Sequence, residues 1–529
     1  MRAKRFASRG GPRVPGLMLL MLLFASAGCK VTAEDIEYWK GTVKGPGKIV
    51  AVLLAERYPM ELRGQAALAL VEMERNDVNG VGELQRAIQQ IQSTNPETAQ
   101  AIIDGMVPGL KEMMRGGDDA NQNEDLGPPL SQMRAKDAAY LLIANASPTA
   151  RQELMSAVVG WYTVDFAERS LAGDYSVEQV VRSLGAPAAT LLVDAMNSHQ
   201  PQQALVKIAE LINQLGSEET KARAGTRIVE IQREMEGSEF LDWLKSKIRE
   251  SLESQNREAN DDRITAIATL NRENFINDGA LTAMKHLAGQ APVRDRLLEI
   301  ANAAPAADAP DFARDSLNLR RRSALQALEG NATEAQLQAL LNIALSESNP
   351  IDVRDYAFDR VGDVRSRAAI PRLWPLLEED DNDVLKKRLR WRAGELILAI
   401  GGSEIVGEFL SRLPSDNGVK FEPEELEGYA TRMSTMTPQP MDTMERQLRS
   451  PRWYNRIIAL RFIERRGTQV DVSKMRRLLR DSASTVGDGW AGRELPSVGK
   501  VAENAIAALE ERLAGPSAEG EQPAQQGAN

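Results

Sequence analysis

One short pattern recurs along this chain and limits its fold more than any other feature: an arginine followed three residues later by an alanine, on a helix whose next turn is apolar. The pattern occurs at Arg63, Arg321, Arg354, Arg390 and Arg456. The alanines Ala324, Ala357 and Ala393 stand 33 and 36 residues apart, and 66 residues separate Ala393 from Ala459. A repeat at this spacing predicts an array of similar units, in which the small alanine allows two helices to approach closely.

The rest of the sequence is also helical in its period. Apolar residues recur at intervals of three and four in "ALVKIAELINQL" and "AENAIAALEERL", and no sustained alternation indicates strands. Most of the arginine-containing helices are followed by a polar turn and a second apolar helix, such as "EAQLQALLNIALS". Two helices of this length cannot bury both apolar faces alone, whereas stacked pairs can. The sequence therefore predicts an all-α fold, an α-solenoid of antiparallel helix pairs.

Residues 364–402, "VRSRAAIPRLWPLLEEDDNDVLKKRLRWRAGELILAIGG", resemble HEAT and HEAT-like repeats. In that family the first helix reads much like "AAIPRLWPLL", a polar turn follows, and the second helix opens with Val or Leu and Arg before continuing into Ala and Leu. The resemblance is good over residues 317–414 and fair over 44–75 and 450–481. It implies a HEAT-like solenoid. Residues 130–305 are helical with irregular spacing, which leaves degenerate repeats and a helical bundle as alternatives.

Composition indicates where the chain divides. "GGDDANQNEDLGPP" and "ANAAPAADAPDF" interrupt the apolar pattern, and the C-terminal "GPSAEGEQPAQQGAN" contains nothing that could pack in a core. The predicted segments are a lipoprotein signal peptide at 1–28, HEAT-like repeats at 29–115, an acidic linker at 116–129, a helical middle region of degenerate repeats at 130–305, HEAT-like repeats at 306–514 and a disordered tail at 515–529.

The N-terminus has the features of an export signal. Five basic residues precede an apolar run, "LMLLMLLFASA" at residues 17–27, and no acidic residue occurs before Glu34. This run has eleven residues, whereas a helix that crosses a bilayer needs roughly 20. The segment is therefore predicted to be removed by a peptidase rather than to remain as a transmembrane anchor.

Cys29 is the only cysteine of the chain and lies two residues after the end of this run. Residues 25–27, "ASA", fit the pattern cut by the general signal peptidase. Residues 26–29, "SAGC", resemble the lipobox of bacterial lipoproteins, although Ser26 stands where that family usually has Leu. The lipobox resemblance implies that the Cys29 thiol carries a diacylglycerol and that the chain is cut just before it. A single exported cysteine cannot form an internal disulfide, which favours this second route.

Lipidation of Cys29 would anchor the protein stably, because each buried methylene of an acyl chain contributes about 0.8 kcal/mol. Lys30 follows the cysteine, whereas lipoproteins retained in the inner membrane usually have Asp at that position. The resemblance therefore implies a location in the bacterial cell envelope, at the outer membrane and facing the periplasm.

The charge of the chain bears on its partners. Loss of residues 1–28 removes five positive charges and takes the formal net charge from −10 to −15. Broad binding of nucleic acid or of anionic headgroups needs a basic surface. We therefore predict no nucleic-acid partner, and we expect contact with the membrane only through the N-terminal lipid.

Candidate chemistry is sparse in this sequence. His199 and His286 are the only histidines and stand 87 positions apart. "GDGWAG" at residues 487–492 has the glycine spacing of a dinucleotide loop without the flanking strand and helix, and "DANQNED" at 119–125 lacks the glycine and final glutamate of a calcium loop. The acidic run at residues 378–383 is explained by the N-terminal dipole of the helix that follows it. We predict no catalytic, cofactor-binding or metal-binding residue.

Two functions are compatible with these features. The first is a non-catalytic scaffold, tethered to the envelope, that binds an as yet unknown envelope protein through its solenoid. The alternative follows from a resemblance to the HEAT-like repeats of phycobilin lyases, and is a lyase or ligand carrier with a pocket in the middle region. The repeated arginines could either bind an acidic partner or form ion pairs between neighbouring repeats, and we favour the structural role.

Overall fold

A computed structural model of the chain describes residues 31–73, 79–116, 128–258, 260–415, 418–490 and 497–514. The predicted signal peptide, Cys29, most of the 116–129 linker and the 515–529 tail lie outside these residues. The described residues contain helices and no strand, apart from one isolated bridge between Ser484 and Ser497. The chain divides into two compact units, residues 1–221 and 222–529. This division falls within the 130–305 region.

Unit 1 is built from two layers of helices. Its described helices are α1 (Ala33–Lys40), α2 (Gly45–Leu54), α3 (Met60–Glu72), α4 (Gly80–Thr94), α5 (Pro96–Arg115), α6 (Leu130–Leu142), α7 (Pro148–Val164), α8 (Phe166–Arg169), α9 (Val177–Leu184), α10 (Ala186–Ala195) and α11 (Gln202–Leu215). Helices α2, α4 and α6 contact one another in order, and so do α1, α3, α5 and α7. Alternate helices therefore form the two layers, as expected of a solenoid.

Unit 2 begins within a long helix and continues as helix pairs. Its helices are α12 (Glu218–Glu236), α13 (Ser238–Ser254), α14 (Asp261–Asn274), α15 (Thr282–Leu287), α16 (Ala291–Asn302), α17 (Asp311–Ala327), α18 (Leu337–Leu345), α19 (Ile351–Val364), α20 (Ile370–Leu377), α21 (Val384–Gly401), α22 (Val406–Arg412), α23 (Pro423–Ser434), α24 (Met441–Gln447), α25 (Trp453–Arg466), α26 (Gln469–Met475) and α27 (Val498–Ala514). A π-helical turn, Phe275–Leu281, joins α14 to α15.

The helices of unit 2 confirm the predicted α-solenoid. Each pair packs internally, α18 on α19 and α20 on α21, while α17, α19, α21, α23, α25 and α27 each contact the next helix of that series. The five alanines of the repeated pattern, including Ala66 of unit 1, are fully buried. Their small side chains lie where helices meet, which is the role that the sequence predicts. The described residues of the middle region are helical, as predicted.

Local sequence explains where many helices begin. Thr32 and Thr468 open α1 and α26 with capping boxes, in which the hydroxyl accepts from a backbone N–H and an aspartate three residues on accepts in return. Asn95 caps α5 in a related way. Proline occupies the first or second position of seven helices, including α5, α7 and α23, where its missing N–H is not needed.

Candidate functional site

The repeated arginines are buried in the structure and hold the ends of helices. Nε of Arg63 donates to the Leu53 carbonyl at 2.8 Å, and Nε of Arg354 donates to the Ala344 carbonyl at 2.9 Å. Both carbonyls lie in the last turn of the preceding helix, where no intrahelical donor is available and where a cation is favoured by the helix dipole. Arg321 makes the same bond to Ala301 at 2.9 Å.

The other two repeated arginines form buried ion pairs. Nε of Arg390 lies 3.2 Å from Oε1 of Glu425, and Nε of Arg456 lies 2.8 Å from Oδ2 of Asp481. The guanidinium of Arg390 also lies 4.3 Å from the ring centre of Phe421. These five side chains are therefore structural, the role favoured from the sequence, and they are not available on a surface.

The exposed charges of the odd-numbered helix series in unit 2 are mostly paired with one another. Arg388 and Arg392 of α21 form ion pairs with Asp355 and Asp359 of α19. On α23, Glu427 accepts from Arg461 and Arg465 of α25. This face consequently offers few uncompensated charges to a partner.

Unit 1 contains a groove on its surface that is lined by both apolar and charged side chains. It has a volume of about 680 Å³ and lies between the C-terminal end of α5, one face of α7, and α8. Small side chains of α7 open it, since Ser156, Ala157 and Gly160 recur on the face that lines it. A Cβ atom placed on Gly160 would have no neighbour within 4 Å. Val164, also in the lining, is 75% exposed.

Basic side chains surround this groove. Lys111 and Glu153 form an ion pair at 2.8 Å across α5 and α7. Arg169 donates to the Trp161 carbonyl at 3.1 Å, with its guanidinium 5.0 Å from the centre of the Trp161 ring, and burial lowers its pKa. Arg115 is exposed and has no hydrogen-bond or ion-pair partner among the residues that the structure describes. The groove thus combines an apolar floor with an excess of positive charge.

A buried ion pair supports the floor of the groove from behind. Nζ of Lys136 lies 2.5 Å from Oδ1 of Asp137 and 5.5 Å from the Trp161 ring centre. The same ammonium donates to the carbonyls of Ala172 and Tyr175 at 2.9 and 2.8 Å. Burial lowers the pKa of Lys136 and raises that of Asp137. The pair therefore ties the segment after α8 to α6.

Close packing around this pair requires a glycine. Gly173 has a φ of +81°, and a Cβ atom there would lie 2.7 Å from Oδ2 of Asp137 and 2.8 Å from Nζ of Lys136. This cluster was not predicted from the sequence. The only signal was a Lys-Asp dipeptide within "AKDAAYLL", where both charges fall on buried positions of the helix.

The two histidines belong to different units of the chain. His199 lies in unit 1 and His286 in unit 2. Asp383, at the end of the acidic run, accepts from the backbone N–H groups of Leu385 and Lys386 at the start of α21, which agrees with the predicted role of the run at the N-terminus of that helix. Residues 119–125 lie outside the described part of the chain. Within that part, no group of three or more His, Cys, Asp or Glu side chains is placed to hold a metal ion.

The glycine-rich turn at residues 487–490 binds a side chain of the protein itself. The N–H groups of Asp488 and Gly489 donate to the carboxylate of Glu422 at 3.3 and 2.7 Å. Gly492 lies outside the described residues. The turn therefore serves to attach the chain before α27 to the start of α23.

Among the described helices, none has both the length and the apolar character that crossing a membrane would require.

No family model and no curated protein matches this chain. Solved structures that it is similar to include Kap121p bound to Ste12p, at 12% identity and a TM-score of 0.32, over 93% of this chain and 46% of Kap121p. The chain thus spans less than half of Kap121p. The SYS-1/POP-1 complex matches at 11% identity and a TM-score of 0.20, over 82% of this chain and 86% of the other. UNC-45 from Drosophila melanogaster matches at 11% identity and a TM-score of 0.17, over 93% and 81%.

Proposed function

We propose that this protein is a non-enzymatic scaffold, tethered to the bacterial cell envelope by a lipid on Cys29, which binds a segment of an envelope protein in the groove of unit 1. The observation that carries the proposal is the groove between α5, α7 and α8, with a volume of about 680 Å³, an apolar floor and a basic rim. A stack of helices supports this role, because it holds such a surface in place without needing reactive groups.

The chemistry of the lining indicates what the partner presents. Trp161, Val164 and the open space beside Gly160 suit an apolar side chain. Arg115 and Arg169 suit a carboxylate, since a guanidinium donates to both carboxylate oxygens at once. The occupant that we propose is therefore a short peptide segment in which an acidic residue neighbours an apolar one. Its charge is opposite to that of the rim.

The alternative, a lyase or small-molecule carrier, would use the same groove, which lies partly in the middle region. Glu153 is the carboxylate of the lining, and it is bound to Lys111 at 2.8 Å. A lyase would need groups that transfer protons, and the described lining offers no second carboxylate and no histidine. Binding is therefore the better supported role.

Photo-crosslinking from a residue of the groove tests whether the groove binds the proposed peptide segment. We expect a benzophenone amino acid at Gln152, which is exposed and lines the groove, to crosslink to one envelope protein at a segment with adjacent acidic and apolar residues. Gly160→Phe should lower the yield at least about tenfold, because the ring fills the groove. The mapped peptide and the yield are measured by mass spectrometry.

The matched control is Gly105→Phe. Gly105 lies on the exposed side of α5, and a Cβ atom there also has no neighbour within 4 Å, so this variant should leave the crosslink unchanged. Equal crosslinking from Ala101, on α5 and outside the groove, would count against the proposal. A small molecule that co-purifies with the protein and is lost only in Gly160→Phe would favour the ligand carrier instead.

A second test concerns the tether. We expect Cys29→Ser to move the protein from the membrane fraction to the soluble periplasmic fraction, because the thiol that receives the acyl chains is absent. The mass of the N-terminal peptide should show acyl chains on Cys29 in the unaltered protein.

Ser26→Leu is the matched control for this test, since it brings the segment closer to the lipobox pattern. It should retain acylation and membrane association. If Cys29→Ser stays in the membrane fraction, or if the unaltered protein carries a free Cys29 or begins before it, the lipid tether is wrong.

A further inference from the structure

A second cavity lies in unit 2, in the layer of even-numbered helices. It has a volume of about 510 Å³ and is lined by α24, by α26 and by the turn that follows each of them. Leu448 and Leu478, both buried, contribute its apolar part. The charged residues of its lining are Asp442, Glu445, Arg446, Arg449, Lys474 and Arg477.

The two acidic side chains of this cavity, Asp442 and Glu445, form no ion pair with its arginines in the described part of the chain. Glu445 accepts from Lys474 at 2.8 Å, and the same ammonium lies 2.8 Å from Asp471. Arg446 donates to the Thr443 hydroxyl at 3.0 Å and has no carboxylate partner in the described part of the chain. Arg449 and Arg477 are exposed, and their guanidinium groups have neither an ion-pair nor a hydrogen-bond partner among those residues.

This arrangement contrasts with that of several other arginines in unit 2. Elsewhere arginines such as Arg388, Arg392 and Arg461 are paired with carboxylates of a neighbouring repeat. Here three guanidinium groups line one cavity of a chain whose net charge is −10. The lining has four basic and two acidic side chains, Asp442 among the latter, so its formal charge is positive and an anion that enters the cavity is attracted overall.

We propose that this cavity is a binding site for a ligand that bears phosphate groups. A guanidinium donates to two phosphate oxygens in parallel, a geometry that ammonium groups cannot provide. The volume is in the range of small-ligand sites and exceeds that of a single phosphate group, so the ligand carries a further polar moiety. Two sources share this chemistry, a soluble phosphate ester and the headgroup of a phosphorylated lipid.

The probe for the site is inorganic pyrophosphate, titrated calorimetrically into the full mature protein in micelles of a non-ionic detergent. We expect saturable binding at one site, weakened as salt is added. The double variant Arg449→Ala with Arg477→Ala should weaken it at least about tenfold. The control double variant, Arg257→Ala with Arg432→Ala, removes the same charge from exposed positions outside the cavity and should bind as the unaltered protein does.

Two further measurements distinguish a soluble phosphate ester from a lipid headgroup. Micelles doped with phosphatidic acid should displace pyrophosphate if the ligand is a lipid headgroup, whereas micelles doped with phosphatidylcholine should not. Pyrophosphate binding that phosphatidic acid leaves unchanged assigns the site to a soluble phosphate ester. The proposal is overturned if pyrophosphate does not bind, or if the control double variant weakens binding as much as the cavity variant does. Circular dichroism confirms that the variants are folded.

Discussion

Replacing Arg390 with alanine is expected to lower the local free energy of unfolding around α21 and α23 by about 3–5 kcal/mol. Arg390 is 0% exposed. It donates to both oxygens of Glu425 at 3.2 Å and to the Lys420 carbonyl at 2.7 Å. Its removal leaves a buried carboxylate without a cation, which is the main cost. Hydrogen exchange of the amides of α21 and α23 in the full chain measures the change.

The loss of stability in Arg390→Ala should also depend on pH. Burial already raises the pKa of Glu425, and in the variant no cation offsets that effect, so the pKa rises further. A carboxyl group whose pKa is raised in the folded state stabilises that state at low pH and loses this contribution as the pH rises. The deficit of Arg390→Ala relative to the unaltered protein should therefore be smaller at pH 5 than at pH 8.

Two controls separate the ion pair from other effects. Arg390→Met combined with Glu425→Gln removes both charges and keeps an acceptor for the Tyr429 hydroxyl, which donates to Glu425 at 3.0 Å, so it should recover much of the loss. Arg388→Ala removes an ion pair whose arginine is largely exposed and should cost less than about 1 kcal/mol. Equal losses in Arg388→Ala and Arg390→Ala would contradict the interpretation.

Lys136→Met is expected to lower the local free energy of unfolding of unit 1 by a similar amount, about 3–5 kcal/mol. The side chain of Lys136 is 0% exposed, and its ammonium satisfies Asp137 and two backbone carbonyls. Without it, the carboxylate and the carbonyls of Ala172 and Tyr175 are left without this donor. Hydrogen exchange should increase in α6 and in residues 170–176.

Lys111→Met is the matched control for this experiment, because it removes the same charge from the rim of the groove. The Lys111–Glu153 pair is partly exposed, so the expected change is below about 1 kcal/mol. Unaltered exchange in residues 170–176 of Lys136→Met would show that the buried pair does not hold this segment.

The sequence predicts the architecture because its signals are local. Burial of Ala324 and Ala357 follows from helical periodicity, and the capping role of Asp383 follows from its place before a helix. The structural role of the repeated arginines could also be anticipated. The group that each arginine contacts could not be predicted from the sequence. At equivalent positions of the repeat, Nε of Arg354 donates to a carbonyl and Nε of Arg390 donates to a carboxylate.

The two cavities could not be predicted from the sequence, for a different reason. The groove depends on the spacing of α5 and α7, and the basic cavity gathers Arg449 and Arg477 from separate helix pairs. In the sequence the arginines of "MERQLRSPRW" and "KMRRLLRD" look like the paired ones, and the net charge of −10 points away from anion binding. What distinguishes them in the described structure is that they line one cavity without an ion pair to its carboxylates.

The serial contacts of unit 2 have a mechanical consequence. Each odd-numbered helix from α17 to α27 contacts the next helix of that series. Contacts within a repeat are short in sequence, since Arg354 donates to the carbonyl of Ala344, only 10 positions earlier. Tension applied between the ends of this unit therefore meets a series of small barriers, one for each helix pair. Extension should proceed in increments of about one repeat, and release of the load should allow each pair to refold on its neighbour. Such a chain would act as an elastic element.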